Sequence, residues 1–106
     1  MPRYMFAASY TLDGVRGVQS GGGSARRDAV AKTAESVGGR LETFDFAFGG
    51  HDVYAIAEAP DNAAAAAIAL TVNGSGGATV TTTVLLTPEE IDDAAKRSVS
   101  YVPPGG

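Results

Sequence analysis

Cysteine and tryptophan are absent from this chain of 106 residues. Without cysteine there is no disulfide, no thiolate metal site and no cysteine nucleophile, and a reducing cytoplasm is the compartment we expect. Histidine is almost absent too, since His51 is the only one. A zinc site usually takes several nitrogen or sulfur ligands from short spacings in the sequence. We therefore expect neither a metal nor another cofactor.

Basic residues and long apolar runs are also scarce. Eight Lys and Arg stand against twelve Asp and Glu, which gives a net charge of -4. Proteins that bind nucleic acid need clustered basic residues, and here only Arg26-Arg27 and Lys96-Arg97 are adjacent. No apolar run approaches the roughly 20 residues of a membrane-spanning helix, and the N-terminus shows no signal peptide. The sequence thus predicts no nucleic-acid partner and no membrane partner.

What remains is the composition of one small globular domain, which we assign to residues 1–106 with a tail at 99–106. Hydrophobic residues make up 44% of the chain, enough for a core. Residues 12–23 contain five glycines, so we predict a loop there, with one helical turn at most. We predict helices capped by Ser24, Asp61 and Thr87 that end near residues 37, 72 and 98, and strands at 3–11, 40–48, 51–59 and 78–86.

The order of these elements is β-α-β-β-α-β followed by a terminal helix. This is the ferredoxin-like α+β arrangement, with four strands in one antiparallel sheet. The hairpin around Gly49-Gly50 decides which side chains share a face of that sheet. With a two-residue turn, one face carries Phe44, Phe46, Phe48, His51, Val53, Ala55 and Ala57. The other face carries Leu41, Thr43, Asp45, Ala47, Asp52, Tyr54, Ile56 and Glu58.

The phenylalanine face is the better floor for the helices. Burying each Phe contributes on the order of 2 kcal/mol, whereas burying an unpaired Asp45 or Asp52 costs several kcal/mol. The same alternation places Phe6 and Ala8, with Val80, Thr82, Val84 and Leu86, under the helices. Met5, Ala7, Ser9, Thr79, Thr81, Thr83 and Leu85 are then left on the outer face.

This outer face mixes apolar side chains with hydroxyls and carboxylates. A surface with this much apolar area rarely stays exposed to water. We therefore predict a homodimer in which two copies stack sheet to sheet. Stacking would enclose a polar-lined cavity suited to a small organic ligand. The prediction depends on the register, because a three-residue turn would reverse the faces of one strand.

Several short segments resemble the GYD domain family of small bacterial and archaeal proteins. They are Tyr10-Thr11 with Gly14, Gly38-Gly39-Arg40-Leu41, Gly50-His51-Asp52, Glu58-Ala59-Pro60-Asp61 and Thr87-Pro88-Glu89-Glu90. The resemblance runs from Tyr4 to about Ala95, and His51 stands where the family's Gly-Tyr-Asp motif has tyrosine. It implies a dimeric α+β barrel fold, and it implies no activity.

The candidate catalytic residues are His51, Asp52, Asp45 and Tyr54, and the candidate ligand-binding residues are Ser9, Thr81, Thr83 and Glu58. Each also has a plainer interpretation. His51 at a turn is usually exposed polar surface, and Asp52 often caps such a turn. Asp45 and Tyr54 can form an ordinary cross-strand pair. Glu58 can pair with Arg3 or Arg40.

Three functions remain open from the sequence. The first is a binding or regulatory module whose dimer cavity holds a small organic molecule. The second is a cofactor-independent isomerase, cyclase or monooxygenase that uses enclosed acid and base groups. The third is a structural module whose outer face serves only oligomerisation. Because the sequence shows no nucleophile or cofactor motif, we place binding ahead of catalysis.

Overall fold

A computed structural model describes all residues from 1 to 106 and confirms the α+β architecture. The four strands form one antiparallel sheet in the order β2-β3-β1-β4, which is consistent with a ferredoxin-like fold. The elements are β1 (Arg3–Tyr10), α1 (Leu12–Gly21), α2 (Gly23–Ser36), β2 (Arg40–Phe46), β3 (Val53–Glu58), α3 (Asn62–Gly74), β4 (Ala78–Leu85) and α4 (Pro88–Ala95).

The first helix, α1, corrects the loop that we predicted at 12–23. Thr11 caps it, because its hydroxyl accepts a hydrogen bond from the Gly14 amide at 3.3 Å. Gly14 also lets the helix lie directly against the turn that leads into β4, since a Cβ there would overlap the Gly77 carbonyl oxygen. Glycine lowers helix propensity by about 1 kcal/mol per residue, and here these tertiary contacts outweigh that cost.

The other helix starts follow the predicted capping residues in two cases of three. The Asp61 carboxylate accepts from the Ala64 amide at 2.8 Å, and Thr87 forms a reciprocal capping box with Glu90. Ser24 is not a cap. Instead α2 follows α1 after one residue, Gly22, whose φ of 86° is readily available only to glycine.

The predicted register of the central hairpin is confirmed over Thr43–Phe46, with Asp45 opposite Tyr54. The turn itself is wider than predicted, because the Ala47 amide donates to the Asp52 carbonyl and closes a longer loop. A second difference is a bulge between Leu41 and Thr43, which pairs Leu41 with Ala57. Leu41 therefore packs against the core and does not lie on the outer face beside Glu58.

The helices α2 and α3 cover one face of the sheet. The core between them contains Tyr4, Phe6, Ala34, Ala57, Ala59 and Ala65. The buried Tyr4 hydroxyl donates to Asn62 at 2.7 Å, which satisfies its polar end.

Several predicted members of this covered face are not covered. Thr82 and Val84 of β4 are on this side but exposed, and His51 lies with the other face. Phe48 is 105% exposed, because it lies in the hairpin loop beyond the paired residues. Leu86 lies past the end of β4 and is also exposed. The floor beneath the helices therefore has two phenylalanines from β2 and not three.

The chain beyond β4 leaves the body of the domain. Every residue from 86 to 106 is exposed, including those of α4. The radius of gyration is 16.8 Å, whereas about 13 Å is usual for 100 residues. We call residues 86–106 the C-terminal arm. None of the helices combines the length and apolar character that a membrane span requires.

Candidate functional site

The side of the sheet that faces away from α2 and α3 carries most of the predicted site residues. We call this side the open face. It consists of Met5, Ala7 and Ser9 from β1, Thr43 and Asp45 from β2, Tyr54, Ile56 and Glu58 from β3, and Thr79, Thr81, Thr83 and Leu85 from β4. No helix of the chain packs on it, so its residues are available for contacts outside the subunit, except Ala7, which is 4% exposed.

His51 lies with the open face, not with the phenylalanines as predicted. Its Nδ1 is 3.3 Å from the Ser9 hydroxyl oxygen. Its ring meets the Tyr54 ring edge to face, with centroids 5.7 Å apart. The side-chain alternation of a strand does not extend to a loop residue, which explains why the predicted face was wrong. The structure thus brings together Ser9, His51 and Tyr54, and we call these three residues the histidine cluster.

Asp52 does not join this cluster. Its carboxylate accepts from the Tyr10 amide at 2.8 Å, and its own amide donates to the Ala8 carbonyl at 2.8 Å. The carboxylate borders a groove beneath α1, together with Val18 and Phe46. The prediction that Asp52 lies on the outer face is therefore corrected. These bonds fasten the end of the hairpin to the end of β1, which is a structural role.

The two other predicted acids on the open face have different surroundings. Asp45 is exposed and makes no side-chain hydrogen bond or ion pair, although Tyr54 lies opposite it in the ladder. Glu58 pairs with Arg40 at 2.8 Å, whereas Arg3 pairs with Glu42. Such exposed pairs contribute about 0–1 kcal/mol to stability, so Glu58 is adequately explained as part of the surface.

Thr81 and Thr83 lie on the open face at the opposite edge of the sheet from the hairpin. They project from the edge strand β4 and are exposed, and the Thr81 hydroxyl reaches the Ala7 carbonyl at 3.5 Å. Because β2 and β4 are the two edges, these threonines do not meet Asp45 within one subunit. The half-buried Met5 and Ile56 lie between the two polar groups.

A cavity on the covered side was not predicted from the sequence. It has a volume of about 80 Å³ and is lined by apolar side chains that include Phe6, Phe44, Val53 and Ile68. Tyr10 and Arg26 also line it. The sequence does contain a signal that space remains there, namely small residues such as Ala55 and Ala57 on β3 and the alanine run in α3. It does not show how that space is distributed among the side chains.

Tyr10 is the residue of this region whose ionisation is altered. Burial raises the pKa of its phenol above the ordinary value, while the positive charge of nearby Arg26 opposes the rise and the negative charge of Asp52 adds to it. The phenol therefore stays protonated and can donate a hydrogen bond. No group of three or more His, Asp or Glu side chains lies close enough together to hold a metal ion.

Comparisons with known proteins identify a family for this chain. No curated protein and no solved structure matches the chain. The sequence profile of the GYD domain matches residues 4–95, which is most of the chain and the same span over which the short motifs are found. The protein belongs to the GYD domain family.

Proposed function

We propose that the protein binds a small organic molecule as a homodimer whose two open faces stack on each other. The observation that carries this proposal is the uncovered apolar surface along the two central strands. Met5 and Ile56 lie there, half-buried, beside Leu85 of the edge strand, while all helices that pack on the sheet lie on its other side. Ala7 on the same face is only 4% exposed, so it adds little to this surface. Water contact with such a surface is unfavourable by about 25 cal/mol per Å².

The dimensions of the open face bear on what completes the interface. Four strands about 4.8 Å apart and about 25 Å long give a flat area of about 500 Å². A stable interface buries about 800 Å² on each partner. The C-terminal arm can supply the difference, because its apolar side chains are exposed. They are Leu86, Ile91, Val99, Tyr101 and Val102.

The histidine cluster and the exposed Asp45 would line the space between the stacked sheets. Ser9, His51 and Tyr54 offer hydroxyl and imidazole groups, and Asp45 offers a carboxylate with no partner in its own subunit. Thr81 and Thr83 add hydroxyls near the other edge. Convergent polar groups in an otherwise apolar enclosure are typical of sites for small molecules.

Catalysis without a cofactor is the second candidate, and the contact between Ser9 and His51 is what favours it. Histidine is the side chain that most often transfers protons in enzymes, and a hydroxyl partner can orient its ring. Binding remains our first proposal because the cluster holds no carboxylate that would complete a relay to His51.

Native mass spectrometry of protein purified from its own host tests both parts of the proposal together. We expect a mass of two copies of the 10.7 kDa chain, with or without a retained small molecule. Ile56→Asp should give single copies, because a charge would enter the apolar centre of the interface. Leu70→Asp is the matched control, since Leu70 is 74% exposed on α3 and away from the open face.

The pattern of results separates the remaining functions. A dimer that retains a molecule, or binds one, supports the proposal. A dimer that shows no ligand in any preparation supports an oligomerisation module instead. A native protein found only as single copies contradicts the proposal.

A further inference from the structure

The covered side of the sheet contains a second possible site that is independent of the dimer. The cavity of about 80 Å³ lies between the sheet and the helices α2 and α3 of one subunit. Its walls are almost entirely apolar, with Phe6, Phe44, Val53 and Val30 among them. An apolar cavity that water does not fill can accept an apolar group of matching size.

The cavity opens toward a groove on the surface of the same subunit. Tyr10, Arg26, Thr33, Val72 and Ala78 line both the cavity and this groove. The outer walls of the groove are formed by small residues, which leave it wide: Gly14, Gly17, Gly21, Gly22, Ala25 and Gly77. The groove is therefore the route by which we expect a small molecule to approach the cavity, past Tyr10 and Arg26.

Arg26 is the only charged residue that lines the cavity. It takes part in none of the four ion pairs, whereas its neighbour Arg27 pairs with Asp28. Asp52 holds the Tyr10 amide from the other side and lines neither the cavity nor the glycine-rich groove. The mouth of the cavity thus has a guanidinium that forms no ion pair with a side chain of the protein, although the negative charge of Asp52 acts on the neighbouring Tyr10 phenol.

We propose that this cavity binds a monocarboxylate with a short apolar tail, the tail lying among the core side chains and the carboxylate meeting Arg26 and the Tyr10 hydroxyl. A guanidinium and a carboxylate form a charge-assisted hydrogen bond of complementary geometry. The phenol of Tyr10 is protonated at neutral pH and can donate a hydrogen bond to the carboxylate. Because the walls are apolar, a second charged group on the tail would be buried without a partner, which is unfavourable.

The volume limits the length of the tail. A cavity of about 150 Å³ accommodates benzene, so one of about 80 Å³ suits an aliphatic tail of roughly three or four carbons. Butanoate is therefore a suitable probe, and butanamide is its neutral counterpart of the same shape.

The test is a titration of the protein with sodium butanoate, followed in amide proton–nitrogen NMR spectra at constant ionic strength. We expect saturable shifts at amides around the cavity, such as those of Val30 and Ala55, and weaker binding of butanamide. Arg26→Gln should weaken butanoate binding about tenfold, since a charge-assisted bond is lost. Arg27→Gln is the matched control and should leave the affinity unchanged.

A filled cavity gives the second arm of the test. Val30→Phe should place a ring in the cavity and abolish butanoate binding, and Ile68→Phe serves if that variant does not fold. Any of three results would overturn the proposal. They are an absence of saturable shifts, an Arg26→Gln affinity equal to that of the native protein, and binding that persists in the folded Phe variant. Ile56→Asp should bind butanoate normally, so failure of the dimer and failure of this site are distinguishable.

Discussion

The two faces of the sheet differ in how completely one chain covers them. On the covered face Phe6 and Val53 lie against α2 and α3, with 8% and 3% of their surfaces exposed. On the open face Tyr54 is 37% exposed, and Met5 and Ile56 are only half-buried by their neighbours. The comparison teaches that the chain covers its sheet with helices on one side only, and that the hydroxyl, imidazole and carboxylate groups of the proposed site lie on the uncovered side.

Removal of a large side chain from the covered face should have the largest effect. Phe6→Ala should lower the free energy of unfolding by about 3–5 kcal/mol, because it creates a void beneath the helices. Phe48→Ala, the matched change at an exposed phenylalanine, should cost less than about 0.5 kcal/mol. Urea denaturation measures both, and similar losses for the two variants would contradict the packing described for the covered face.

The close contact of α1 predicts a smaller effect at Gly14. Gly14→Ala should destabilise the protein by about 1–3 kcal/mol, because the new methyl overlaps the Gly77 carbonyl oxygen. Gly17→Ala lies in the same helix with open space around it, and should stabilise by up to about 1 kcal/mol. Thermal unfolding of the two variants gives the comparison, and a shift of the same sign for both would argue against this docking of α1.

The buried phenol of Tyr10 predicts a loss of stability in alkaline solution. Its pKa is raised by burial, so the folded state keeps the proton after the unfolded state has lost it. The contribution is complete below the unfolded pKa of about 10 and is lost as the pH rises through the folded value. Denaturation at several pH values between about 8 and 11 should therefore show that the free energy of unfolding falls less steeply with pH in Tyr10→Phe than in the native protein. An unchanged slope would show that another group is responsible.

The smallest effect on stability is expected at Asp45 on the open face. Asp45→Asn removes a charge that has no partner, so the free energy of unfolding should change by less than about 0.5 kcal/mol. Under the proposed function the same change should weaken retention of the small molecule in the native dimer. Stability and retention that are both unaltered would remove Asp45 from the candidate site.

The sequence predicts the division into faces better than it predicts the details at their ends. Asp45 and Tyr54 are paired as expected, because a longer loop that adds two residues preserves the alternation of side chains. The position of His51 could not be predicted, because it belongs to that loop and follows no strand period. Leu41 was misplaced because a bulge changes the parity, and nothing local in the sequence marks it.

The helix α1 and the cavity depend in part on contacts between distant residues. Glycine content predicts a loop at residues 12–23, but the Thr11 cap, which is a local signal, and the contact of Gly14 with Gly77, which is a tertiary one, favour the helix. The cavity depends on how side chains from two helices and four strands fill a volume. The spacing of residues along one element predicts neither the tertiary contact nor the cavity.

The most direct test of the stacked open faces uses two neighbouring residues that point to opposite sides of β4. Thr81 lies on the open face and Thr82 on the covered side, and both are exposed in the single subunit. Because the chain has no cysteine, each can be replaced by one cysteine and its rate of reaction with a thiol reagent measured. We predict that Thr81→Cys reacts slowly and Thr82→Cys quickly, and that Ile56→Asp makes the two rates similar. Equally fast reaction of both in the native background would contradict the stacking.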